Sequence, residues 1–459
     1  MNLFRHPGHG NLGGTRSHTA GGPWQRPRRT RSGLRKRRAE KGSVKKRLAA
    51  FGIAAAGAGV LTVTPASAAS TAAGLDPAKL QAAMDGVHRA GMPGLYAQVR
   101  DGGRVWRGAS GVADVRTGRP VTPHMRQRVG SITKTFTAAA VLQQAERGRI
   151  RLDDPIGRYL PHLVPGERGR RITVRMLLNH TSGIADYIPY AFPSLLQGSP
   201  RSLEDNRFRR FRPAELIRMG LAAPATGRPG ELPGSYSNTN YVILGQLLER
   251  VTGTPAEKHI TRNVIERAGL KHTAFPAGPR IKGPHPRMYE AMYGLIDPPR
   301  DYSVYDMSWV GTAGAVVSTM DDLNRFYAAL LNGKIISRAS LAQMQRTVPV
   351  GVGGGTMDYG LGLYAVHTPC GVFWGHDGVV WGAGAQSLIR ADGGRQVSYA
   401  VNLTKYNRPD SSGNLQPHPI DEAFGPFLQL ALCGDRQAQV TFARRPVTPM
   451  PLMGVPALR

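Results

Sequence analysis

Strand-like alternation occurs near both ends of this chain and is scarce between them, and that separation constrains the fold more than any other feature. Residues 94–102 (GLYAQVRDG) and 103–114 (GRVWRGASGVAD) alternate apolar and polar side chains like the arms of a hairpin. The pattern returns only after Met357, in YGLGLYAV, GVFWGH and GAGAQSLIRADGGRQVSYAVNLT, with Ala391-Asp392-Gly393-Gly394 as a turn. The intervening stretch is punctuated by helical spacing: a run opened by Ser131, then segments around 173–179, 213–222, 239–252 and 320–331. Helices also bracket the whole, from Leu75 to Arg89 and from Ile420 to Leu432. Strands at both ends must pair with each other, because neither set alone buries a core for a chain of this length. The expected fold class is therefore α+β: an antiparallel sheet flanked by helices, built from both chain ends and carrying an inserted, mainly helical region. Pro/Gly-rich loops are expected at Pro189–Pro200 and Gly278–Pro286.

The formal charge of +30 suggests nucleic acid until it is divided along the chain. The first 68 residues hold 14 Lys/Arg and one acid, Glu40, so the remainder carries +17. That excess favours anionic surroundings such as a cell-wall polymer or membrane surface by long-range attraction, and no nucleic-acid partner is expected. Within residues 41–70 a basic start, an apolar run from Leu48 to Val63 and Ala66-Ser67-Ala68 make the three parts of a secretory signal, with mature protein from Ala69. The run is short for a membrane span of ~20 residues; an uncleaved anchor is the alternative. The expected organisation is thus a basic leader and signal over residues 1–68, one domain over 69–435 and a loose tail over 436–459, in a secreted, extracellular protein. Its two cysteines, Cys370 and Cys433, would meet an oxidising compartment in which a lone pair tends to be joined; two free buried thiols are the other reading. A bridge would contribute about 4 kcal/mol by closing the intervening loop.

Three short motifs carry chemistry. Ser131-Ile132-Thr133-Lys134 places a hydroxyl and an amine on one face of a helix start. A serine becomes a nucleophile when a base takes its proton, and lysine is a base only where burial or a neighbouring cation holds it neutral. Ser43-Val44-Lys45-Lys46 has the same spacing and no meaning, so the motif alone is weak. Tyr236-Ser237-Asn238 puts a phenol and an amide on a loop before a helix, the phenol able to relay protons and to lose its own more readily beside a cationic lysine. His376-Asp377-Gly378 ends or edges a strand, where Gly378 would let a substrate backbone lie close. His residues are scattered and no ligand spacing implies a metal; no cofactor is expected.

The order and separation of the three motifs resemble the serine β-lactamase-related superfamily, in particular secreted D-alanyl-D-alanine carboxypeptidases and, more distantly, class C β-lactamases. The likeness runs from about Leu75 to Cys433 and includes LLNHTSG (Leu177–Gly183), Pro233–Gly253, Ser308–Phe326 and YGLGL (Tyr359–Leu363). The resemblance implies Ser131 as nucleophile, Lys134 and Tyr236 as proton carriers, and an oxyanion hole from the backbone N–H groups of Ser131 and Val379. It further implies Asn238 on the substrate amide, His376 where relatives carry His or Lys, and a Cys370–Cys433 bridge. Trp309 resembles a cleft-wall aromatic, a core tryptophan being the other reading.

Two departures bear on substrate. Carboxypeptidase relatives carry Thr between the His and Gly of the third motif and Arg shortly before the first cysteine, and the two hold a peptide carboxylate. Here those positions are Asp377 and, by counting, Tyr364. The expectation is a monomeric serine hydrolase acting through an acyl-enzyme on a small-molecule or peptide substrate, D-alanyl-D-alanine carboxypeptidase-like on cell-wall peptides. An esterase, a β-lactamase, a D-amino-acid amidase or a penicillin-fold binding protein without turnover are the alternatives.

Overall fold

A computed structural model describes residues 74–352 and 355–435 of the 459. The leader, the signal and the tail expected from the sequence lie outside the described residues. Helix α1 (Pro77–Arg89) opens on Asp76, whose carboxylate accepts the Lys79 N–H, with proline in its first turn. The hairpin β1 (Gly94–Asp101) and β2 (Arg104–Asp114) follows. Near the other end stand β3 (Val348–Val352), β4 (Gly355–Tyr359), β5 (Tyr364–Thr368), β6 (Gly371–Val380), β7 (Ala383–Arg390) and β8 (Arg395–Val401).

Among the described residues these strands form one ten-stranded sheet, in the order Arg119–Pro120, β2, β1, β8, β7, β6, β5, β4, β3, Gly234–Ser235. All pairs are antiparallel except the last. The two chain ends meet where β1 pairs with β8, Val99 facing Val397. This is the α+β sheet that the sequence implies. One detail differs: YGLGLYAV is two strands, broken at residues 360–363, where the turn packs on the central helix and the Gly362 carbonyl accepts the Thr135 hydroxyl at 2.6 Å. The Pro189–Pro200 stretch is likewise not plain loop but two short helical turns, Ile188–Ala191 and Pro193–Gln197.

Helices cover both faces. On one, Leu80, Met84 and Val87 of α1 pack with Ile420, Phe424 and Phe427 of the last helix, Pro419–Cys433. Cys433 at its end is joined to Cys370, the two Cα atoms 5.5 Å apart. On the other lie helix α2 (Thr133–Glu146) and α3 (Met320–Leu331), locked by the Phe136–Phe326 ring stack at 3.7 Å. Residues Thr133 to Gln144 are all buried, so α2 has no solvent stripe; Thr135 and Thr137 donate to backbone carbonyls of neighbouring segments and Thr133 accepts the Val316 N–H. A helix buried on every side is a rigid mount for whatever stands at its start. Among the described residues no helix is long and apolar enough to cross a membrane.

Candidate functional site

Ser131 lies in the single turn Gly130–Ile132 that leads into α2, with its side chain 2% exposed. Lys134, one turn on and fully buried, donates to Ser131 Oγ at 2.9 Å, to Asn238 Oδ1 at 2.7 Å and to the Ala313 carbonyl at 2.9 Å. Burial pulls the amine down to about 7, against the opposing pull of the Asp186 and Asp377 carboxylates. The partner set then decides the direction of proton transfer. Two of the three are carbonyl oxygens that can only accept, so the lone pair of a neutral Lys134 has one donor to receive from, the Ser131 hydroxyl.

Asn238 opens the helix Asn238–Thr252 and is itself buried. Its amide, assigned by resemblance to a substrate, is held at both ends by the protein: the oxygen by Lys134, the nitrogen by Asp186 Oδ2 at 2.7 Å. Asp186 also accepts the backbone N–H groups of Asn238 and Ile188. Burial raises its carboxyl above the ordinary value while those N–H groups and Lys134 favour the ion. The result is a continuous line, Asp186–Asn238–Lys134–Ser131. Asp186 has no motif of its own and follows LLNHTSG by three residues, so sequence reasoning missed it.

Tyr236 stacks on His180 at 4.1 Å, and the Lys134 ammonium sits 4.9 Å from its ring centre. The residue is partly exposed, but the hydroxyl is buried. Burial drives this phenol well above its ordinary pKa, and Ser131 is the neighbour that most opposes the rise. Burial thus works against the easier ionisation expected of a phenol beside a lysine. His180 fixes the loop around it, its Nδ1 accepting from the Ser237 N–H and facing the Asn240 amide nitrogen, both at 3.2 Å. The proton therefore sits on Nε2, buried without a partner, and burial beside Lys134 keeps the ring neutral.

The opposite wall is β6. It pairs with β5 only as far as Gly375, leaving residues 376–380 with a free edge, and the Ser131 turn abuts that edge. A Cβ on Gly378 would lie 2.0 Å from the Val129 oxygen and 2.5 Å from the Ser131 nitrogen; one on Gly130, at φ +52°, would lie 2.7 Å from the Val379 nitrogen. The glycines admit the chain's own backbone, not a substrate's, and so let the Ser131 turn lie close against residues 378–379 of β6.

His376 stands within the strand rather than at its end and is 1% exposed. Its Nδ1–H donates to the Asp377 carbonyl at 2.5 Å and its Nε2 accepts from Tyr359 Oη at 2.9 Å, so neither ring nitrogen is open to a substrate. Asp377 is partly accessible. Tyr364, by counting the residue where carboxypeptidase relatives carry Arg, has its ring 5.3 Å from the His376 ring, and its hydroxyl accepts from Gln386 at 2.9 Å. Trp309 is 5% exposed, stacked on Trp381 at 5.0 Å and edge-on to Phe192, the setting of a core residue rather than of an open cleft wall. Among the described residues no group of His, Cys, Asp and Glu is arranged to hold a metal ion.

A family model described as Beta-lactamase matches residues 78–418. A putative penicillin-binding protein, PbpX of Bacillus subtilis, is 29% identical over 276 residues, 60% of this chain and 62% of that protein. Esterase EstB of Burkholderia gladioli is 32% identical over 222 residues, 46% of this chain and 56% of the esterase. The chain thus spans about six-tenths of the length of these curated relatives. A D-stereospecific amidohydrolase from Streptomyces sp. superposes with TM-score 0.67 at 34% identity, covering 78% of this chain and 99% of the amidohydrolase.

Proposed function

Because the chain belongs to the beta-lactamase family of serine hydrolases, we propose that it cleaves amides or esters whose acyl part bears a free ammonium group, such as D-amino-acid amides. The observation that carries this reading is the charge of the cleft. Two carboxylates act on Lys134: Asp186 from inside the hydrogen-bonded line, and Asp377 from the margin, where its side chain is partly accessible. Two further cations, Arg390 and Lys405, are occupied by Asp392 and Glu290 and so do not serve a substrate carboxylate. A carboxylate about 4 Å from another at a protein surface is repelled by roughly 4 kcal/mol, and an ammonium is attracted by as much. The D-alanyl-D-alanine carboxypeptidase reading, which needs a terminal carboxylate to be held, has correspondingly less support. Preference for the D configuration rests on the likeness to the Streptomyces amidohydrolase alone.

In this mechanism neutral Lys134 takes the Ser131 proton as Oγ attacks the carbonyl carbon. The oxyanion is met by the N–H groups of Ser131 and Val379. Collapse breaks the bond to the leaving group, which departs with a proton delivered through Lys134 or the un-ionised Tyr236. A water molecule then adds to the acyl carbon, its proton passing to Lys134; the acyl–Oγ bond breaks as Lys134 returns that proton to Ser131 Oγ, and the acid leaves. Export is part of the same proposal, supported by the signal-like run ending at Ala66-Ser67-Ala68; N-terminal sequencing of protein from culture medium tests it.

The test is a substrate panel: a D-amino-acid anilide, the same compound N-acetylated, and an N-acylated D-Ala-D-Ala peptide. The free amine should be turned over at least tenfold faster, by kcat/KM, than either partner. A peptide preferred over the free amine overturns the reading and restores the carboxypeptidase.

A further inference from the structure

A second concave site lies apart from these residues and shares none of them. Its wall is the Pro/Gly-rich stretch singled out in the sequence, Gly278–Pro286, continued by Arg287, and it encloses a cavity of about 400 Å3. Arg119, Arg280, His285 and Arg287 line it, with Ser303 at its floor. Arg287 is balanced by Asp301 at 2.9 Å and Asp114 at 3.7 Å. Arg119 spends one nitrogen on the His285 carbonyl, and among the described residues neither it nor Arg280 has a carboxylate partner. Beneath the floor Arg128 is wholly buried. Its Nη2 donates to the carbonyls of Pro279 at 2.6 Å and Ser303 at 3.2 Å and the guanidinium lies 4.4 Å from the Tyr305 ring centre, while among the described residues its Nε and Nη1 have no acceptor. Ser303, 1% exposed, likewise has a hydroxyl with no partner among the described residues. The positive potential registers on His285, whose imidazole is held below its ordinary pKa by burial and then by Arg128, Arg119 and Arg287.

Uncompensated guanidinium groups around a cavity, with an unsatisfied hydroxyl at its floor, call for an oxyanion that accepts several N–H bonds at once. The volume exceeds what a bare ion fills and falls in the range of small-molecule sites. Apart from the half-buried His285 no aromatic ring lines it, so it offers no platform for a nucleobase. We propose that this cavity binds the phosphoryl group of a polyol or sugar phosphate ester, independently of the hydrolytic site.

The experiment is calorimetric titration of the full chain with glycerol 3-phosphate at fixed ionic strength, with glycerol and sodium chloride as controls. The wild type should bind the phosphate ester. Arg280→Glu should weaken binding at least tenfold, Ser303→Ala severalfold, and both should hydrolyse a reporter ester at the wild-type rate. Equal affinity in Arg280→Glu, no preference over glycerol, or loss of binding once Ser131 is blocked by a fluorophosphonate would each overturn the proposal. Two further arms identify the source of the phosphate: co-sedimentation with vesicles of phosphatidylglycerol in phosphatidylcholine, and retention by a soluble poly(glycerol phosphate). Charge-sensitive binding in either arm supports the site and names its ligand as headgroup or polymer, and binding of the small ester alone supports a free sugar or polyol phosphate.

Discussion

The two walls that meet at Ser131 are built on opposite principles. On the helical wall Lys134 and Asn238 are buried and their polar atoms have partners within the protein, as does the partly accessible Asp186 carboxylate. On the strand wall the backbone does the close packing, through Gly130 and Gly378, and the side chains Asp377 and Tyr364 set charge and shape at the margin. The first wall leaves no freedom, because removing one member strands another in a low-dielectric interior. The second can change its substrate without disturbing the chemistry. Reaction and specificity are therefore separable in this molecule, and mutations should sort accordingly.

The sharpest way to break that division is at the nucleophile. Ser131→Ala should lower kcat by about 10⁴-fold or more and Lys134→Ala by about 10³-fold, both measured with an activated ester, with folding checked by near-UV circular dichroism. A Lys134→Ala enzyme within tenfold of wild type would move the base elsewhere. Next comes Asn238→Ala, which leaves Lys134 and Asp186 facing each other without their bridge; kcat should fall about 10²-fold and stability by about 2 kcal/mol in urea titrations. The pH profile gives a smaller effect. Because Lys134 accepts a proton only when neutral, kcat/KM should be level above about 7 and fall tenfold for each unit below it. A profile flat from 5 to 8 removes the lysine from the role. On the strand wall Asp377→Asn should cost about tenfold in kcat/KM for an ammonium-bearing substrate and under twofold for a neutral ester; equal losses would mean that Asp377 serves the chemistry after all. The least catalytic effect is expected from Cys370→Ser with Cys433→Ser, which should lower stability by about 4 kcal/mol and leave kcat/KM within twofold.

The same division governs what could be read from the sequence. Periodicity located the sheet at both chain ends and most longer helices, since apolar spacing reports which face is buried. The order of the three motifs brought Ser131, Lys134 and Tyr236 together, and counting put Tyr364 where carboxypeptidase relatives carry Arg. Hidden were the partners of buried polar groups. Nothing in the spacing tells that Asn238 answers to Asp186, that His376 is closed off by Tyr359, or that Gly378 makes room for Val129–Ser131. Such pairings depend on side chains from distant segments meeting in three dimensions. Turns such as Ile188–Ala191 escaped for another reason: four residues are too few to display a helical period.

The pairing of β1 with β8 also sets a clock. Val99 waits for Val397, roughly 300 residues later in synthesis, and at about 5–20 residues per second that interval is ~15–60 s. Throughout it the hairpin β1–β2 presents an unpaired edge and an uncovered apolar face, the kind of surface that recruits other chains. The chain thus has its most aggregation-exposed moment before β8 has been made, and stabilising the early hairpin by itself cannot shorten the wait.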